Sequence, residues 1–302
     1  MSREAITRAP SIFGEEAKAS TPLSVRLRKW GQLARANPLG TLGLLIIVGF
    51  FVCAVFAPLL ATHDPRTVSA DATAGMSSEH YFGTERLGRD IYSRVLYGSR
   101  ISLSVAFISV IGGGSVGILL GILSGYAGGI IDSAIQRTVD TAIAFPALLL
   151  LLIITQALGP SFRTIVIALM IAVIPGVTRV VRGAVLSEKN NQYIEAARAS
   201  GAWGPRVLLR HVLPNVVALG IIVMTTLLGT IILAEAALSF LGLGIPNASS
   251  WGKDVNTARQ NLPYHVPSAV FPGAAITLTV LGFNLLGDSI RDIADPRLRG
   301  SR

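Results

Sequence analysis

Charge is scarce in this chain. Only 14% of its 302 residues are Asp, Glu, Lys or Arg, against about 25% in ordinary soluble domains. A soluble chain of this length with so few charges could hardly cover its own surface, so a membrane protein is the leading class. Cysteine is nearly absent. The single Cys53 excludes an internal disulfide and sits in an apolar run as a small packing residue. No G-x-x-x-x-G-K-[ST] loop occurs, so the chain does not bind ATP in that way. There is no H-E-x-x-H and no cysteine pair. His63, His80, His211 and His265 are scattered, and no metal site is expected. Nothing here marks an enzyme, and no catalytic residue or cofactor is assigned to this chain.

Apolar runs supply what charge does not. A membrane span needs about 20 such residues. Candidates are 39–61, 101–131, 141–162, 164–178, 212–234 and 266–287. The fourth is short and needs a turn borrowed at each end. An all-α integral membrane protein with about six transmembrane helices follows. Residues 1–38 read as a polar tail with a basic interfacial segment, 39–100 as the first span and an external loop, 101–290 as a core, and 291–302 as a tail. The first run is not a signal peptide, since nearly forty residues precede it.

The net charge of +9 is placed unevenly. With six spans, both tails and the 124–140 and 179–211 loops share one side and hold 18 of the 26 Lys and Arg. The positive-inside rule puts that side, and both termini, in the cytoplasm. The basic charge therefore reads as membrane orientation rather than nucleic-acid binding.

Between the fourth and fifth runs lies a polar island, Tyr193-Ile-Glu-Ala-Ala-Arg-Ala-Ser-Gly201 through Pro214. Asn190 or Asn191 can cap a helix over 193–200. Gly201 suits the left-handed position that ends one. Helix then resumes at Trp203, and Pro214 falls in the first turn of the fifth span. Ala196 and Ala197 leave a smooth face for close approach, and Arg198, Arg206 and Arg210 suit acidic partners or headgroups. The ordinary reading is a basic interfacial loop. The spacing of Glu195, Ala196, Ala197, Gly201 and Pro214, however, resembles the "EAA" loop of ABC importer permeases, which docks into an ATPase subunit.

Three further stretches extend the resemblance. His80-x-x-Gly83-Thr84-Glu85-x-x-Gly88-Arg89-Asp90-x-x-Ser93-Arg94 is similar to a block found in the dipeptide, oligopeptide and nickel branch of that family, with Glu85 where Asp is usual. Its plain reading is a local ion-pair cluster of Arg89, Asp90 and Arg94. Glu235-Ala-Ala-Leu-Ser-Phe-Leu-Gly-Leu-Gly244 follows 23 uncharged residues. Glu235 marks either an outer interface or a functional intramembrane carboxylate. Asn284-Leu-Leu-Gly-Asp288-x-x-Arg291-Asp292-x-x-Asp295 ends the last run, with charges that pair with one another or with the coupling loop. Gly112, Gly113, Gly114, Gly117, Gly121 and Gly125 permit close helix contact in lipid, and are expected either to pack against a neighbouring subunit or to line a pore.

The chain thus resembles the C-type permease subunit of such an importer, with a type I importer fold. The resemblance implies a second permease, two ABC ATPases carrying ATP and magnesium, a solute-binding protein outside, and a prokaryotic plasma membrane. A peptide solute is implied first; nickel or another small solute stays open. Competing classes are an ATP-independent secondary transporter, which ordinarily shows inverted repeats absent here, and a membrane scaffold or sensor.

Overall fold

The computed structural model describes residues 37–259 and 265–294. The described residues from Leu39 onward belong to one compact unit. Among the described residues the chain is helical, and the sole β feature is an isolated bridge between Thr84 and Asp90.

Helix α1 spans Pro38–Leu60 and α2 spans Ile91–Ala127. Helices α3 (Gly129–Ala144) and α4 (Ala147–Leu158) meet at 89°. Helix α5 runs Phe162–Lys189 and the short α6 runs Gln192–Ala199. Helix α7, Gly204–Leu243, contains π-type turns at Leu208–Val212 and Ser239–Leu243. Helix α8 (Trp251–Arg259) is short, and α9 (Pro267–Ala294) closes the described chain. Among the described residues five helices, α1, α2, α5, α7 and α9, are long and apolar enough to cross a membrane, and the bent α3–α4 pair makes six if counted as one span.

The bend corrects the expectation of one continuous third span over 141–162. Pro146 lacks an N–H, and its ring disfavours helical geometry at the residue before it. Phe145 accordingly takes φ −85°, ψ 134°. Alone, the 12 residues of α4 reach only about 18 Å at 1.5 Å per residue.

Glycine decides how α2 packs. A Cβ on Gly113, Gly117, Gly121 or Gly125 would meet Met170 and Val173, Val177, Val181 or Val185 of α5 at 2.5–3.0 Å. Four glycines at four-residue spacing thus make one seam, and their partners rise in step with them. The two helices therefore run parallel, in contact along their length. The seam lies within this chain. Gly114 instead faces Met224 of α7, and Gly112 faces the Met170 side chain. Because α2 and α5 are parallel, Ala127 and Phe162 lie at opposite ends of the bundle. The bent pair between them returns the chain from one end to the other. Helices α7 and α9 run antiparallel, with Thr226 against Gly287 and Gly229 against Asn284 and Val280. Helix α1 packs antiparallel on α9, where Gly43 meets Gly282 and Leu285.

Two expected boundaries shift to take in charged residues, of which Arg94, Arg179 and Arg182 are paired. Helix α2 begins at Ile91, ten residues before the uncharged run, and takes in Arg94 and Arg100. Helix α5 continues past Thr178 to Lys189, where Arg182 grips Asp132 with two bonds of 2.6 and 2.7 Å and Arg179 reaches Asp140 at 2.5 Å. The 179–211 segment is thus mostly helix, made of the end of α5, all of α6 and the start of α7.

Candidate functional site

The 190–214 segment folds into a knob whose inner side is apolar and whose outer side is bare. Ile194, Val207 and Val212 are fully buried, while Glu195, Ala196, Gly201, Trp203, Arg206, Arg210 and Pro214 are exposed. Ala197 is half-buried, and Arg198 lies in the same helix, α6. The helix ends as expected. Gly201 takes φ +87° with open space around it. The Ala202 amide then reaches back to the Ala197 carbonyl at 3.0 Å, closing a Schellman-type turn. The start differs in detail. The Asn191 carbonyl accepts from Ile194 and Glu195, while its side-chain amide donates to Glu188 at 2.9 Å. Pro214 follows the first π-type turn, where the Leu213 amide bonds the Leu208 carbonyl one residue further back than in an α-helix.

Sequence reasoning missed the residues that hold this knob. Glu188, at the end of α5, accepts from Tyr193 of α6 and, at 2.7 Å, from Asn215 of α7. Burial, and then the bond to Glu188, push the Tyr193 phenol above its ordinary pKa. Tyr126, one residue from the end of α2, donates to the Gly204 carbonyl at 2.5 Å. Lys189 donates to the Tyr126 carbonyl at 3.3 Å. Three helix ends are thereby tied to one protrusion. The polar residues between apolar runs were the available signal; their pairing was not.

At the other end, the 80–94 block is a folded turn rather than the Arg89–Asp90–Arg94 cluster expected. Gly83 and Gly88 hold φ of +77° and +72°. Thr84 is fully buried, and its hydroxyl donates to the Asp71 carbonyl and accepts from the Ala74 amide at 2.8 Å. Asp90 pairs with neither arginine. It caps α2, accepting from the Ser93 amide at 2.8 Å and bonding His80 at 3.0 Å. Arg89 pairs with Glu85. Arg94 pairs with Asp254 of α8 and lies 3.7 Å from Glu85. The departure from the family pattern, Glu85, therefore sits at the centre of this network. Burial pushes the Asp254 carboxyl upward in pKa, with Arg94 opposing it, and burial lowers the neighbouring Lys253.

Glu235 is wholly buried instead of marking an interface. It accepts from Ser102 of α2 at 3.1 Å and Ser239 at 2.7 Å. The last motif also departs from expectation. Asp288, Arg291 and Asp292 are exposed, and among the described residues no ion pair joins them to one another or to the knob. The span from 288 to 292 is one helical turn, but all three side chains are exposed to solvent. Asn284 packs on Gly229. Asp295 lies outside the described residues.

Residues 117–300 match the family model described as "Binding-protein-dependent transport system inner membrane component". The chain belongs to this permease family. Residues 30–76 match the N-terminal transmembrane domain of oligopeptide transport permease C. The permease is 42% identical over 267 residues to the dipeptide transport system permease protein DppC of Alkalihalophilus pseudofirmus, covering 88% of each chain. It is 41% identical to the glutathione transport system permease protein GsiD of Escherichia coli O6:K15:H31, over 90% of each. It is 37% identical to the oligopeptide transport system permease protein OppC of Bacillus subtilis, over 88% of each. Among solved structures, the inward-facing MetNI methionine ABC transporter matches with TM-score 0.55 and 20% identity, over 68% of this permease and 98% of that chain. An amino acid ABC transporter matches with TM-score 0.54 and 16% identity, over 65% and 92%. The permease thus has the type I ABC importer fold, and it is a multi-pass membrane protein.

Proposed function

We propose that this permease forms half of the path of an ATP-driven importer for short peptides, and that its 192–212 knob receives the motion of an ATPase. The observation that carries this reading is the knob itself. A mobile partner needs a handle that is bare outside and rigidly rooted inside. Here exposed Glu195, Ala196, Trp203 and Arg206 stand on buried Ile194, Val207 and Val212, and Tyr126 and Glu188 root them to α2, α5 and α7.

A second permease supplies the other half of the path, two ATPases with ATP and magnesium sit below, and a solute-binding protein delivers cargo outside. The chain carries no phosphate loop of its own, so hydrolysis belongs to the partners and this chain is not an enzyme. The positive-inside rule, applied to the basic knob and tails, supports cytoplasmic termini in a prokaryotic plasma membrane. Relatives named for dipeptide, oligopeptide and glutathione transport share one solute chemistry, since glutathione is itself a small peptide. That common class favours peptides over nickel.

Native mass spectrometry of the gently extracted transporter tests the reading. A complex with a second permease and two ATPases supports it. A chain alone or as a homo-oligomer, with solute uptake insensitive to ATP depletion, overturns it in favour of a secondary transporter.

A further inference from the structure

His63 and His80 are 17 positions apart in sequence, and the fold stacks their rings with centroids 4.7 Å apart and planes tilted by 32°. Glu79 joins them. One ligand atom from each of His63, Glu79 and His80 lies within 4.8 Å of the other two. The expectation of scattered histidines fails here, because the turn at 77–83 brings the second ring back beside the end of α1.

Each ring is oriented through its Nδ1. His80 Nδ1 bonds Asp90 Oδ1 at 3.0 Å, and His63 Nδ1 bonds the Thr62 hydroxyl at 3.0 Å. Among the described residues no hydrogen bond engages either Nε2. A carboxylate on the far nitrogen of an imidazole is the usual outer shell of a metal ligand, because it fixes the tautomer and raises the basicity of the other nitrogen. Asp90 is itself held by the Ser93 amide at 2.8 Å and the Thr62 hydroxyl at 3.3 Å. The orienting group is therefore built into the cap of α2. Burial varies in a way that suits binding: His80 is buried, His63 half-buried and Glu79 exposed. A rigid ligand, a semi-rigid one and a free arm open to solvent provide an entry path and a closing motion. Ligand atoms around a tetrahedral zinc ion lie about 3.4 Å apart, so three atoms already within 4.8 Å of one another close onto one ion by small side-chain movements.

We propose that His63, Glu79 and His80 form a binding site for a divalent transition-metal ion of zinc's class, with water in the fourth position. Two imidazoles and one carboxylate suit such an ion. Magnesium and calcium, which take oxygen ligands, are excluded by the same donor set. The ion ties the end of α1 to the turn before α2 and to Asp90, stapling the loop over 61–90. The site is independent of the solute and of the ATPase reading.

The test uses the full-length chain with its co-purified subunits, carrying a tag free of histidine. The sample is stripped with a chelator, then titrated with zinc chloride and counted by elemental mass spectrometry. The wild-type chain is expected to hold one more zinc per copy than a His63→Ala/Glu79→Ala variant. Zinc is also expected to slow amide exchange over 61–90 in the wild type alone. Both substituted side chains are at least partly exposed, so the variant retains its fold, checked by size exclusion. Equal zinc content in the two proteins, or exchange over 61–90 unmoved by zinc, overturns the proposal.

Discussion

Tyr126 and Gly204, 78 positions apart, are joined by a 2.5 Å hydrogen bond from phenol to carbonyl. This bond links the end of the glycine-seamed helix α2 to the root of the knob. Tyr126→Phe removes the donor and keeps the ring. A net loss of about 0.5–1.5 kcal/mol is expected for such a bond. Amide exchange over 192–212 should rise by roughly tenfold at most, with exchange in the α2–α5 seam unchanged. Equal rates in the knob would show that Tyr126 does not root it.

Gly201 stands in open space at φ +87°, so a side chain there meets no clash and the cost is backbone strain alone. Gly201→Val should cost about 1–2 kcal/mol locally and distort the turn between α6 and α7. The expected outcome is normal membrane insertion with loss of solute-stimulated ATP hydrolysis. Full stimulation in that variant would contradict the role given to the knob.

The glycine seam gives a prediction by contrast. A Cβ on Gly121 would lie 2.7 Å from Val181 Cβ and 2.8 Å from the Thr178 carbonyl, whereas Gly176 has nothing within 4 Å. Gly121→Ala forces α2 from α5 and should destabilise by about 1–3 kcal/mol. Gly176→Ala, on an exposed helical position, should be neutral or stabilising by up to about 1 kcal/mol. Thermal unfolding in detergent separates the two; similar melting temperatures would refute the seam.

Arg94 and Asp254 form a buried pair across 160 positions. Arg94→Met leaves Asp254 without its cation and should cost about 3–5 kcal/mol. Pairing it with Asp254→Asn removes the stranded charge, so the double variant should melt above Arg94→Met. A double variant as unstable as the sum of the two single ones would mean that the residues act independently.

What could be read along the chain and what could not divide by distance in sequence. The knob was legible because its signals are local: helix formers over 193–200, a left-handed glycine, and polar residues between apolar runs. The break before α4 had a local signal too, in Pro146, but the apolar run through it was stronger. The start of α2 was hidden because Arg94 and Arg100 interrupt the hydrophobic run. Arg94 is accommodated by Asp254 and Glu85, partners that no spacing rule reveals. Asp288 and Arg291 show the opposite error. Their spacing permits a pair on one helix face, yet exposure to water removes the gain from making it. Glu235 was singled out correctly as unusual, but its partners Ser102 and Ser239 show that its surroundings are polar inside the bundle.

Cross-linking from the knob identifies the protein that it meets in the membrane. In a Cys53→Ser background, which leaves no native cysteine, Ala196→Cys carries a photo-cross-linker on the exposed knob and Leu59→Cys carries one at the far end of α1, where Leu59 is 81% exposed. In membranes containing the whole transporter, the account predicts an adduct with an ATPase subunit from position 196 and none from position 59. An ATPase adduct absent at 196, or equal at both positions, would contradict it.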